Sequence, residues 1–256
     1  MRIATWNVNS LKVRLPHVLD WLAKHQPDAL CLQEIKLEDV NFPLQAIHEA
    51  GYHALYSGQK TYNGVAILTR APADNARMGI PGFDDPQKRV LAATCGDTRV
   101  ICIYVPNGES IESGKYQYKL KWLAALTAWL RTEIAAHPKL ALLGDYNIAP
   151  EARDVWDVKD WEGKVLFSPP EHAALKGLFD LGLTDSFRIF DQPERSFSWW
   201  DYRMNAFRRK LGLRIDHILL TAPLTQACTA CVIDIEPRKL ERPSDHAPVM
   251  ADIANS

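Results

Sequence analysis

The sequence has no excess of charge. Its 30 lysines and arginines against 31 aspartates and glutamates leave a formal net charge of -1 and a pI of about 6.7. That balance excludes a globally basic nucleic-acid binder, so any surface for a polyanion must be local. There is no apolar run of membrane-spanning length, and the opening residues Met1 to Asn7 are too short an apolar stretch for a secretory signal. Cysteine is scarce and odd in number: Cys31, Cys95, Cys102, Cys228 and Cys231 mostly sit in apolar runs, the pattern of reduced thiols in a cytosol, so a cytoplasmic location is expected. The lone Cys228-x-x-Cys231 has no second pair and no nearby histidine, which argues for buried unbonded thiols and against zinc. No low-complexity tract, linker or short repeat marks a boundary, and residues 1–256 read as a single domain.

What the sequence does have is apolar residues, 47% of 256, enough for a substantial core. Short β-rich runs recur at Ile3 to Val8, Ala29 to Leu32, Tyr52 to Tyr56, Val65 to Thr69, Val90 to Thr94, Val100 to Val105 and Leu140 to Leu143. Others follow at Ile215 to Thr221, Cys231 to Ile235 and Pro248 to Ile253. Helical spacing runs through Tyr116 to Ala136, Leu11 to His25 with Ser10 at the N-cap position, and Glu171 to Leu181. Many strands with few long helices predict a mixed α/β sandwich of two packed sheets.

Chemistry gathers where apolar strands end. Leu140 to Leu143 runs into Gly144, Asp145, Tyr146 and Asn147, placing a carboxylate and an amide two residues apart, a spacing that shares a face on a strand. Ala29 to Leu32 leads into Gln33 and Glu34, and Ile3 to Trp6 leads into Asn7 and Asn9. Asp216 and His217 interrupt the apolar run Leu213 to Leu220, where a charge needs a partner or a metal, and Asp245 and His246 precede the last strand. Singly, each has a plainer reading: Asp145 as a turn former, Glu34 as a solvated strand end, His246 as a hydrogen-bonded strand start. Together, hard oxygen donors without thiolates suit magnesium, with manganese as the other candidate.

These stretches resemble exonuclease III and the related abasic-site endonucleases of the endonuclease/exonuclease/phosphatase superfamily. The matching segments are Thr5-Trp6-Asn7-Val8-Asn9-Ser10-Leu11, Leu32-Gln33-Glu34, Tyr62-Asn63-Gly64-Val65-Ala66, Tyr104-Val105-Pro106-Asn107-Gly108 and Leu143-Gly144-Asp145-Tyr146-Asn147-Ile148. They continue through Phe197-Ser198-Trp199-Trp200-Asp201-Tyr202-Arg203, Gly212-Leu213-Arg214-Ile215-Asp216 and Ser244-Asp245-His246-Ala247-Pro248, spanning nearly the whole chain in family order.

The resemblance implies a four-layer α/β sandwich of the DNase I type, two mixed sheets flanked by helices. It makes Glu34 the principal metal ligand, with Asn7 beside it and Asp245 as a further metal contact. Asp145 would align or deprotonate the attacking water, and Asn147 would help hold that water and the phosphate. His246 would contact the scissile phosphate and be held by Asp216, with Tyr104 and Asn107 as further phosphate contacts. The implied activity is metal-dependent hydrolysis of double-stranded DNA at abasic sites and at 3′ ends, by a monomer. Phosphodiester cleavage independently calls for an in-line nucleophile and for positive charge on the non-bridging oxygens, which a cation and a histidinium supply.

Superfamily chemistry does not by itself choose DNA, because phosphatases of small or lipid phosphoesters have similar cores. The discriminating segment runs from Arg195 to Arg214, where Arg195, Arg203, Arg208, Arg209, Lys210 and Arg214 alternate with Phe197, Trp199, Trp200, Tyr202 and Phe207. Basic groups neutralise backbone phosphates and aromatic rings stack or wedge; the plainer reading is a partly buried hairpin. The family pattern adds a small apolar sugar pocket at Trp199, Leu213 and Ile215; Lys60, Tyr62 and Asn63 in the Gln59 to Gly64 loop are further candidate phosphate contacts, the plainer reading of that polar turn being a hairpin connection. A catalytically silent lesion-binding protein is a third reading, disfavoured because Glu34, Asp145, Asn147, Asp216 and His246 are all present. One departure concerns Pro169-Pro170-Glu171-His172, where relatives show Pro-Glu-Glu-Arg, so a groove-lining arginine is replaced by His172.

Overall fold

The computed structural model describes residues 1–254. In chain order its strands are β1 (Arg2–Asn7), β2 (Ala29–Gln33), β3 (His53–Ser57), β4 (Val65–Thr69), β5 (Asp74–Met78), β6 (Val90–Cys95) and β7 (Thr98–Tyr104). They continue as β8 (Leu140–Asp145), β9 (Thr184–Asp185), β10 (Trp199–Trp200), β11 (Gly212–Leu213), β12 (Asp216–Leu220), β13 (Cys228–Ile233) and β14 (Val249–Ile253). The helices are α1 (Leu11–His25), α2 (Leu44–Glu49), α3 (Gly114–Ala136), α4 (Val158–Trp161), α5 (Pro169–Phe179) and α6 (Ala222–Ala227).

Two six-stranded sheets form among the described residues, in the orders β13-β14-β1-β2-β4-β3 and β5-β6-β7-β8-β12-β9. Each is mixed: β1 and β2 pair in parallel, as do β7 and β8, and their other neighbours are antiparallel. Because side chains alternate along a strand, each sheet has two apolar faces to bury. Ile3, Cys31 and Val65 of one sheet meet Leu91, Cys102, Leu143 and Ile218 of the other, forming the central core. The opposite face of the first sheet, including Trp6, Leu30 and Leu32, is covered by Val18, Trp21 and Leu22 of α1 and Ile47 of α2. The opposite face of the second, including Ile101, Ile103 and Leu142, is covered by Trp122, Leu126 and Leu130 of α3 and Leu175 and Leu178 of α5. This is the expected four-layer sandwich.

Differences from the sequence reading are local. Helix α5 begins at Pro169, two residues before the expected start, because Pro169 and Pro170 take first-turn positions where a missing N–H costs nothing, and Ser168 with Glu171 closes a capping box. Ser10 stands at the N-cap of α1 but makes no side-chain cap bond; at φ 92° it gives its backbone N–H to Glu34 O instead. Strand β5 went unread because all five of its residues are exposed at a sheet edge, so it has no apolar alternation to detect. Cys228 and Cys231 are buried free thiols, as expected.

Candidate active site

The site lies where central strands of both sheets end together. In the second sheet, strand register sets Tyr104 beside Asp145 and Asp145 beside Asp216, so three candidate site residues form one row across β7, β8 and β12. Close approach of β7 and β8 requires glycine at 144: a Cβ there would lie 1.9 Å from the Ile103 carbonyl oxygen. In the first sheet Asn7 pairs with Gln33, which leaves Glu34 one residue beyond the strand end, at φ 51°. The turn is tied down by backbone bonds from Val8 to Gln33, Ser10 to Glu34 and Ile35 to Gly64.

Asn7 bridges the two sheets. Its amide nitrogen donates to Glu34 Oε1 and to Asp145 Oδ2, each at 2.9 Å, while its oxygen accepts from the Asn9 backbone N–H. The Glu34 carboxylate also meets the Lys36 ammonium at 2.9 Å. Asp145 Oδ1 accepts the Asn147 backbone N–H at 2.9 Å, and the Asn147 side chain spans to Val105 O and to Asn107. The buried Tyr104 hydroxyl bonds to Glu34; burial and the charges of Glu34 and Asp145 push its pKa well above the ordinary phenol value, so it is a proton-bearing donor.

His246 closes the site. Its Nδ1 sits 2.9 Å from Asp216 Oδ2, and its Nε2 lies 3.7 Å from Asp145 Oδ2. Burial opposes a charge on the imidazole, but Asp216 and Asp145 together outweigh it and raise the pKa to about 10. Burial likewise raises Asp145, to about 7, with Asp216 adding to the rise while His246 and Asn7 hold it down. Asp216 is fixed by the Ser198 hydroxyl, which donates to it at 2.7 Å while accepting the backbone N–H groups of Ile215 and Asp216.

Among the described residues, Glu34, Asp145 and His246 offer atoms within 4.8 Å of one another that could hold a cation. His246 Nδ1 is already committed to Asp216, which leaves the Glu34 and Asp145 oxygens as the anionic donors for a cation. The Lys36 ammonium on Glu34 shows that this edge accepts positive charge. The anionic donors here, the Glu34 and Asp145 carboxylates without sulfur, fit magnesium or manganese. Asp245 is turned elsewhere: its two oxygens accept from Asn9 and from the Trp199 indole, each at 3.0 Å.

The outlying residues divide. Lys60 and Tyr62 are exposed in the loop before β4, whereas the Asn63 amide is turned inward to Gln59 and Gln87. Trp199 is half-buried and packs with Val155, Leu166, Phe167, Leu213 and Ile215. Leu213 and Ile215 are 0% and 1% exposed, so they form the floor beneath that cluster. Trp200, on the other face of its strand, is buried with Phe197, Ala206 and Ala247. Arg203 is exposed and paired with Asp201. Arg214, expected among the phosphate-neutralising cations, is instead buried and ion-paired with Asp154 and Asp185: along the chain it points opposite to Leu213 and Ile215, into the core. His172 gives its ring to the Ala149 carbonyl and to the edge of Phe167.

Sequence reasoning missed Ser198, Lys36 and Arg89. The Arg89 guanidinium lies 4.7 Å from the centre of the Tyr104 ring and donates to the Tyr104 carbonyl. Ser198 carried a signal, a small polar residue amid Phe197, Trp199 and Trp200; Lys36 and Arg89 carried none beyond charge.

Residues 4–246 match the endonuclease/exonuclease/phosphatase family. The chain is 39% identical to exodeoxyribonuclease III of Haemophilus influenzae, over 98% of its own length and 99% of that protein's. Among solved structures it is similar to the 3′ phosphatase NExo from Neisseria bound to a product DNA hairpin, at 49% identity and a TM-score of 0.98, with both chains covered completely. An AP endonuclease from Archaeoglobus fulgidus superposes with a TM-score of 0.96 at 38% identity, again over the whole of both chains. A full-length match, with the family's polar residues converging on one rim, makes this chain a member of the endonuclease/exonuclease/phosphatase family and a hydrolase of the exonuclease III type.

Proposed function

We propose that this hydrolase cleaves the backbone of duplex DNA at abasic sites and 3′ ends, with 3′-end processing as its leading activity. The observation that carries the reading is the meeting of Glu34, Asp145 and His246 atoms within 4.8 Å on the rim that also bears Tyr104, Asn107 and Asn147. Relatives support the substrate: one at 49% identity is named for 3′ phosphatase action and one at 38% for AP endonuclease action.

In this reading Glu34, assisted by Asn7, holds a magnesium ion, or manganese in its place, whose charge when bound offsets that of the phosphate. Asp145 orients the attacking water and takes its proton, as a carboxylate with a pKa raised to about 7 is suited to do. The water oxygen bonds to phosphorus as the bond to the departing sugar oxygen breaks. His246, kept protonated by Asp216, binds the non-bridging oxygens, where charge grows in the transition state. Asn107 donates to the same phosphate, as does Tyr104 once its hydroxyl turns from Glu34, and Asn147 helps hold the attacking water and the phosphate. Asp245 acts by holding Asn9 and Trp199 rather than as a metal contact. Lys60, Tyr62, Asn63, Trp199, Trp200, Arg203, Leu213 and Ile215 form or support the DNA surface, the buried members as a floor.

The working form is a cytoplasmic monomer; among the described residues no helix is long and apolar enough to cross a membrane. The test compares rates on a duplex with one abasic-site analogue, a 3′-phosphate end, an undamaged 3′ end and an inositol phosphate. Faster turnover of the 3′-phosphate end is expected. Preference for the inositol phosphate would overturn the DNA reading, and preference for the abasic duplex would overturn the ranking.

A further inference from the structure

Lys119 is a lysine with no accessible surface, on the face of α3 that covers the second sheet. Burying an ammonium is costly unless every donor is used. Here all three are: Nζ lies 2.5 Å from Glu171 Oε1, 2.6 Å from the Asn147 carbonyl oxygen and 3.1 Å from the Asn107 carbonyl oxygen. Glu171, equally buried, accepts in addition from the backbone N–H groups of Leu166 and Ser168 and from the Ser168 hydroxyl.

The two carbonyls belong to the two asparagines that the proposed mechanism places on the phosphate. Asn147 has φ 48°, a left-handed value that asparagine adopts more readily than other non-glycine residues, and it lies two residues beyond Asp145 at the end of β8. Asn107 lies on a separate loop after β7 and donates to the Asn147 side chain at 3.2 Å. Beyond the β7–β8 ladder the two loops are tied by the Val105 N–H to the Asp145 carbonyl, by the Asn147 amide to the Val105 carbonyl, by the Asn107–Asn147 side-chain bond, and by the ammonium beneath them, which bonds the main-chain carbonyls of both asparagines.

We propose that Lys119 is a positioning residue for catalysis: its buried ammonium clamps the Asn107 and Asn147 loops by their main chains and so fixes the side-chain amides against the phosphate, with Glu171 as counter-charge. This inference rests on the reading of Asn147 given above, and it assigns Lys119 no contact with substrate.

The decisive variant is Lys119→Met with Glu171→Gln, which removes the clamp without leaving a buried carboxylate unpaired. Expected is a fall in kcat of about a hundredfold on a 3′-phosphate duplex with DNA dissociation constant within about threefold, the split expected when transition-state contacts alone are misplaced. In a chain that already carries Asn107→Ala and Asn147→Ala the same pair of substitutions lowers kcat by less than about threefold, because the lysine acts through those two asparagines. An unchanged kcat in the pair variant, or a full second loss in the chain lacking both amides, overturns the proposal. Full activity of Asn147→Ala alone would instead overturn the site reading. If the pair variant does not fold, Glu171→Gln decides: a lysine left neutral still has two hydrogens for the two carbonyls, so kcat stays within about threefold. A hundredfold loss in that folded chain would assign the role to the glutamate and reject the lysine.

Discussion

Asp145 and Asp216 stand directly opposite one another on β8 and β12, two buried carboxylates in adjacent register. Like charges so placed repel, and the arrangement holds because His246 lies between them, 2.9 Å from Asp216 and 3.7 Å from Asp145. The carboxylates keep the imidazole protonated, and the imidazolium lets both carboxylates exist in the core. Each side chain is thus explained only by the other two.

Removing either end of this arrangement should stop turnover without releasing DNA. For Asp145→Ala and His246→Ala, kcat is expected to fall by about three orders of magnitude, while binding measured by fluorescence anisotropy changes little. Near-normal turnover in either variant rules out its assigned role.

If the proposed role of His246 holds, the alkaline limit of activity is expected to follow loss of its proton, whose raised pKa of about 10 comes chiefly from Asp216 once burial is overcome. In Asp216→Asn the alkaline limb of the kcat/KM profile should move down by more than about one unit, toward the ordinary histidine value of about 6.5. An unmoved limb would mean that another group titrates there.

The same raised pKa makes a stability prediction. A group whose pKa is higher folded than unfolded stabilises fully below its unfolded value of about 6.5 and loses that contribution as pH rises through about 10. The melting-temperature difference between the parent chain and His246→Gln, both in chelator, should therefore shrink between neutral pH and pH about 10. A widening gap contradicts a histidinium.

Ser198 carries the Asp216 carboxylate and caps two backbone N–H groups. Ser198→Ala leaves these unpaired in the core, so a destabilisation of about 1–3 kcal/mol is expected, with a fall in kcat of about tenfold. Chemical denaturation and steady-state rates report the two effects separately, and a change in neither would make the serine incidental.

Cation binding at Glu34 is testable without turnover. Added magnesium should raise the melting temperature of the chelated protein by relieving the Glu34 and Asp145 charges, and Glu34→Gln should abolish most of that rise. Chelator should stop hydrolysis in the parent chain. Activity that persists in excess chelator removes the metal from the reaction.

The amino-acid sequence alone determined the layers and made the candidate reacting groups legible. Nearly unbroken apolar runs at Ile3 to Trp6, Ala29 to Leu32 and Leu140 to Leu143 demand two buried faces per sheet, and the polar residues that end these runs are local signals. Helix α1 was read with both ends correct, and Asp145, Glu34 and His246 were identifiable as candidates, because each follows from residues within a few positions. Only the tertiary structure decided the partnerships. That Ser198 holds Asp216, that Asn7 joins Glu34 to Asp145, that Lys119 underlies Asn107 and Asn147, and that Arg214 is spent on buried aspartates rather than phosphates all depend on contacts between segments far apart in the chain. Strand register and sheet packing fix those contacts, and no local pattern encodes them.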